Sequence, residues 1–172
     1  VWNTSAENIP DATIFDMISQ LNLDYNEQNP DITNVRPAFA GDVADVGINF
    51  CLATVDPDGN VTTGITRTHT SQTWFNPYEV APNTLPDDLM KTAAHGIAAW
   101  NPNTYLNIWI CDIGSSVRGY AYLPVTGMPG SWRDGVILNY SIGIGNGVRT
   151  STHEVGHYLG LMHTFNDPGY CV

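Results

Sequence analysis

Lysine is almost missing from this chain. Of 172 residues one is Lys, Lys91, and five are Arg, against 17 acids, so the formal net charge is −11. A surface so poor in cations has little with which to neutralise phosphates, which argues against nucleic acid or an anionic membrane as a main partner. It suits a secreted, extracellular protein and favours basic peptides as ligands. No run of 18 apolar residues exists, so no membrane-spanning helix is expected. A secretory leader is absent, and Val1-Trp2-Asn3 already reads as a strand, so upstream residues are expected to have been removed or left out. Internal repeats and low-complexity tracts are also absent.

Cysteine is scarce and odd in number: Cys51, Cys111 and Cys171. At least one thiol therefore has no partner within this stretch. Cys51 and Cys111 each end an apolar run, so a Cys51–Cys111 disulfide between strands is expected, with two buried free thiols as the alternative. Cys171 is expected to find any partner further downstream.

What remains is a chain with 42% hydrophobic residues, enough for one domain with a core. Its chemistry concentrates in one stretch. His153-Glu154-Val155-Gly156-His157-Tyr158-Leu159-Gly160-Leu161-Met162-His163 reads H-E-x-x-H-x-x-G-x-x-H. His153 and His157 are four apart, so a helix puts both imidazoles on one face. Two imidazoles so placed can share one zinc ion. Gly160 can take a positive φ, which stops the helix and turns His163 back as third ligand, leaving a fourth position for water. Glu154 points elsewhere and can serve as general base toward that water. Ser151-x-x-Glu154 also has capping-box spacing, which gives Glu154 a purely structural alternative.

The remaining chain reads as a scaffold. Pro10 to Glu27 is expected as a helix with a stripe of Ile14, Ile18, Leu21 and Tyr25. Val46–Ala53 and Val61–His69 read as strands around an Asp56-Pro57-Asp58-Gly59-Asn60 turn. That turn's acids offer a weak calcium reading, because the glycine is not where an EF-hand loop needs it. Residues 70–86 read as a loop and Asp87–Trp100 as a second helix. Tyr105–Cys111 is nearly all apolar, as a central strand would be. Tyr120–Leu123 and Gly135–Tyr140 are further strands. His69 and His95 read as structural rather than ligating. The strand and helix order predicts an α+β fold: a mixed twisted sheet backed by helices and by the zinc helix.

The motif resembles that of the metzincin clan of zinc endopeptidases. Arg149-Thr150-Ser151-Thr152, Thr164-Phe165, Gly64-Ile65-Thr66-Arg67, Tyr105–Cys111 and Gly119-Tyr120-Ala121 narrow the resemblance to the pappalysin family, and it covers nearly the whole chain. The resemblance implies a zincin-like fold and a single catalytic ion, Zn²⁺, held by His153, His157 and His163, with Glu154 catalytic. It implies an edge strand at Gly135–Tyr140, whose Leu138, Asn139 and Tyr140 pair with the backbone of a bound peptide. It also implies protein or peptide substrates with Arg or Lys just after the scissile bond. Family members carry a Met-containing turn after the third ligand, and only nine residues follow His163 here. Residues 1–172 are therefore expected to be a single, incomplete catalytic domain, its lower subdomain missing. Calcium sites are expected mainly in that missing part. A C-terminal segment or propeptide is an expected partner. Two other classes stay open: a zinc-loaded module that binds peptides or an inhibitor without turnover, and a zinc amidohydrolase that does not act on peptides.

Overall fold

The computed structural model describes residues 1–78, 85–114, 116–145 and 147–163. Helix α1 spans Asp11–Tyr25 and buries Ile14, Met17, Leu21 and Tyr25, a stripe at helical spacing. It ends two residues short of the expected Glu27, where Asn26 donates its side-chain amide to Asn22 O and Ile48 O. Among the described residues the sheet has three strands: β1 (Ile108–Cys111), β2 (Gly119–Ala121) and β3 (Val136–Asn139). Their order is β1-β3-β2, with β1 parallel and β2 antiparallel to β3, so the sheet is mixed as expected. Helix α2 spans Thr150–Tyr158 and carries the motif.

Alternation along the strands splits the core in two. Val136 and Leu138 face α1 and α2 with Ile14, Leu21 and Val155, joined by Ile108, Ile110 and Ala121. Ile137, Trp109 and Cys111 face the other way, onto Phe75, Met90 and Ile113, joined by Tyr120. The sheet is thus covered on both faces, which explains why β3 is apolar at consecutive positions and buried throughout.

Four expectations need correction. Gly135–Tyr140 is not an edge strand: β3 is central, and both its edges are paired. Asp87–Trp100 is not a helix. A 3₁₀ turn at Leu89–Lys91 leads into a tight loop in which Ile97 N donates back to Met90 O, and a Cβ on Gly96 would lie 2.0 Å from that carbonyl. The apolar spacing there serves the loop's packing rather than a helix face. Val46–Ala53 and Val61–His69 form no ladder; their bridges are Val55 with Val61, across the expected turn, and His69 with Trp2. Finally, Cys51 and Cys111 are free thiols. Phe50 and Leu52 pack on the α1-side core, so Cys51 between them faces out and is exposed, whereas Cys111 is sealed in the opposite core. Burial pushes the Cys111 thiol up to about 12. Cys171, Thr164 and Phe165 lie outside the described residues.

Candidate metal centre and active site

The centre is built by one helix and the turn that ends it. α2 begins at Thr150 after Arg149, with no side-chain cap, so Glu154 is not a capping residue. At its other end Gly160 has φ of 100°, the left-handed conformation expected of it. Gly160 N donates to His157 O at 2.9 Å and Leu161 N to Gly156 O at 2.8 Å. These are the paired bonds of a Schellman motif, which satisfies the last carbonyls of the helix. Leu161 folds back over Gly156, where a Cβ would be 3.5 Å from Leu161 Cδ1.

That turn brings the three histidines together. Nε2 of His153 is 3.0 Å from Nε2 of both His157 and His163, and the last two are 2.9 Å apart. His157 Nδ1 is 2.7 Å from the Leu161 carbonyl, so Nδ1 carries the proton and Nε2 keeps its lone pair. Burial, then the two neighbouring imidazoles, lowers the pKa of His153, which favours the neutral form a metal needs. Lone pairs aimed at one point repel unless a cation lies among them. The spacings are below twice a Zn–N bond of about 2.0–2.1 Å, so all three nitrogens can reach one ion. Among the described residues this is the one His/Cys/Asp/Glu group that converges in this way.

Glu154 is 6% exposed, and burial pushes its carboxyl up to about 7. A cation nearby acts in the opposite direction. Its neighbour across the sheet is Gly119: a Cβ there would be 3.1 Å from Glu154 Cγ, 3.0 Å from Thr150 Cγ2 and 2.8 Å from Ile137 O. Leu138, Asn139 and Tyr140 are not presented to a ligand edge. Asn139 Nδ2 donates to Gly114 O at 2.5 Å and Val117 O at 3.2 Å, and Tyr140 N donates to Cys111 O at 3.1 Å. Asn139 and Tyr140 tie down the β1–β2 connection instead, and Leu138 is sealed in the α1-side core. His69 stacks edge-on against Trp2, and His95 Nδ1 is 3.3 Å from Gln72 Nε2, so neither joins the centre. The Asp56 carboxylate accepts from Asp58 N and Asn60 N, which accounts for that turn without calcium.

A family model described as pregnancy-associated plasma protein-A, peptidase family M43, matches residues 90–171. Mature mirolysin of Tannerella forsythia, solved in complex with a cleaved peptide, superposes with a TM-score of 0.84 at 40% identity, over 97% of this chain and 62% of that one. The chain is similar to the pappalysin family over residues 90–171, and to mirolysin over nearly its whole length. Its α+β architecture is accordingly the zincin-like metzincin fold. Extracellular metalloprotease 1 of Coccidioides posadasii is 43% identical over 70 residues, 35% of this chain and 25% of the relative. An extracellular metalloprotease of Colletotrichum graminicola is 46% identical over 74 residues, 35% of this chain and 24% of the relative. The chain thus spans about a quarter of the length of these curated relatives.

A metalloprotease of the pappalysin family implies zinc, and the histidine cluster fits it. The motif gave no warning of the residues that hold α2 in place. Thr152 Oγ1 donates to Asp24 of α1 at 2.6 Å, and Tyr25 Oη donates to Thr152 O at 3.2 Å. Arg149 donates two bonds to Asp31, at 2.8 and 2.6 Å, and lies 3.4 Å from Asp24. The Arg149 guanidinium, then the Asn29 amide, holds the Asp31 carboxyl well below the usual carboxylate range. Gly119 was legible only as part of the family resemblance, and its contact with Glu154 was not.

Proposed function

We propose that the protein is a secreted zinc endopeptidase that hydrolyses peptide bonds in proteins. One observation carries the reading: three imidazole nitrogens converge within 3.0 Å of one another on the helix that also holds the buried Glu154. Bound zinc supplies a Lewis acid that acidifies water towards a pKa of about 7 and polarises the scissile carbonyl. His153, His157 and His163 would hold that ion, and the Leu161 carbonyl fixes the tautomer of His157. Glu154 takes the proton of the attacking water and delivers it to the leaving amine.

The strand that pairs with an extended substrate is β2 in this reading, not β3. β2 ends the sheet among the described residues and lies against Glu154 through Gly119. Its outer edge offers backbone groups for β-augmentation, which gives affinity independent of sequence. Secretion is supported by the extracellular relatives. A propeptide as partner is supported by the match to promirolysin, 40% identical over 94% of this chain. A preference for Arg or Lys after the scissile bond rests on the family resemblance, and the net charge of −11 is compatible with it. The lower wall of the cleft is, in this reading, supplied by further chain; Leu159, Leu161 and Met162 beside the centre are 45%, 65% and 59% exposed, an apolar surface suited to it.

The test is cleavage of a casein-like protein and of peptides carrying Arg, Lys or Glu after the scissile bond, with and without a chelator. Chelator-sensitive cleavage favouring the basic peptides is expected. Hydrolysis of small amides alone would assign a different hydrolase, and equal rates on all peptides would remove the basic preference.

A further inference from the structure

Behind β2 lies a buried charge cluster that the metal chemistry does not use. Asp88 is 0% exposed and has φ of 53°, in the left-handed region that residues with side chains rarely adopt. Its carboxylate accepts from Tyr120 Oη at 2.6 Å, Tyr122 Oη at 2.8 Å and Arg133 Nη1 at 2.7 Å. Lys91, the chain's one lysine, is 2% exposed and has its Nζ 3.7 Å from the same carboxylate. That ammonium donates to Arg133 O at 2.5 Å and lies 5.0 Å from the ring centroids of Trp109 and Tyr122. Arg133 donates in turn to Pro86 O at 2.6 Å.

Desolvating charges and holding a strained backbone are both unfavourable, and apolar residues fill such a space at lower cost. The orientation of β2 suggests what the cluster does. Successive side chains of a strand face opposite sides. Tyr120 and Tyr122 face the cluster, while Gly119 and Ala121 face α2, with Gly119 against Glu154. One carboxylate therefore holds two hydroxyls on the far side of the strand whose near side touches the catalytic helix.

We propose that Asp88 is a positioning residue: by holding the Tyr120 and Tyr122 hydroxyls it fixes β2 over α2, and with it the backbone edge that pairs with an extended peptide beside Glu154. The inference rests on the peptidase reading above and adds to it a device for substrate alignment. The substituted residues lie outside the metal centre, so loss of the clamp leaves the metal in place and weakens substrate pairing.

The experiment compares the wild type with the Tyr120→Phe, Tyr122→Phe double variant, which keeps both rings and removes both hydroxyls. A control, Asn22→Ala, breaks two bonds to the Phe50 backbone, 2.7 and 2.9 Å long, on the far side of α1. Metal content, kinetics on a long and a short quenched peptide, and amide hydrogen exchange are measured on each. The double variant is expected to keep its zinc and lose about ten-fold in kcat/KM on the long peptide, mostly through KM, with a smaller loss on the short one. No loss, or an equal loss on both peptides that matches the control, would overturn the proposal. If the wild type cleaves neither peptide, the peptidase reading fails, and exchange still decides the clamp. Amides of Tyr120 and Ala121 exchanging about ten-fold faster, with α2 unchanged, would support it, and unchanged β2 exchange would overturn it.

Discussion

His153, His157 and His163 meet because one helix and one Schellman turn bring them together. β2 is held beside Glu154 in a different way: Asp88, 32 residues before Tyr120 in sequence, binds the Tyr120 and Tyr122 hydroxyls on its far side and is itself paired with Arg133 and Lys91. The first arrangement is local and follows from residue spacing. The second depends on the whole fold. A metal centre can therefore be strong in sequence while the surface that aligns its substrate is invisible there. The two should also fail separately: damage to the turn should affect metal, and damage to the clamp should affect substrate.

The largest expected effect lies on the chemistry itself. Glu154→Gln keeps the side-chain shape and removes the base, so turnover should fall about 10²- to 10⁴-fold while zinc content stays the same. Near wild-type turnover in this variant would take Glu154 out of the mechanism. Next is the brace between α1 and α2. Asp24→Ala removes the acceptor of Thr152 Oγ1 and a neighbour of Arg149, and should cost about 1–3 kcal/mol in urea unfolding. A loss of metal affinity beyond that of stability would show that α2's placement, and not only its spacing, sets the centre.

Gly160→Ala sharpens the local half of the comparison. The added methyl would meet Pro124 at ordinary contact distance, so its cost is that of φ at 100°, about 1 kcal/mol. Because the same turn presents Leu161 O to His157, weaker zinc retention in a chelator competition is expected too. Unchanged zinc retention would mean that the turn does not set the ligand. The smallest effect separates the two cysteines. Cys51 is exposed and should react with a thiol reagent in the folded protein, whereas buried Cys111 should react only after unfolding. Mass spectrometry of labelled peptides would check this, and labelling of Cys111 at the native rate would contradict the packing described here.

The zinc motif was legible because its ligands are tied by 3.6-residue spacing and by one glycine. α1 was legible from its apolar stripe, and all three strands from apolar or aromatic runs. The second helix was misread because Leu89, Met90, Ala93, Ala94 and Ile97 imitate a stripe, while Lys91 is buried beside Met90 for the sake of Asp88. The edge strand was misplaced because a strand's position in a sheet depends on pairing order, which residue pattern does not encode. The disulfide failed for a similar reason: two apolar run-ends do not reveal which face each cysteine takes. Asp24, Asp31 and Asp88 belong to no motif, and only the fold supplies Thr152, Arg149 and Tyr120 as their partners.

The most direct test of the metal peptidase account is a titration of zinc into metal-stripped protein, following bound zinc and cleavage of an Arg-containing quenched peptide together. Activity is expected to rise in proportion to bound zinc and to saturate at one ion per chain, with His163→Ala needing more zinc. Cleavage that persists in the stripped protein, or saturation without any cleavage, would contradict it.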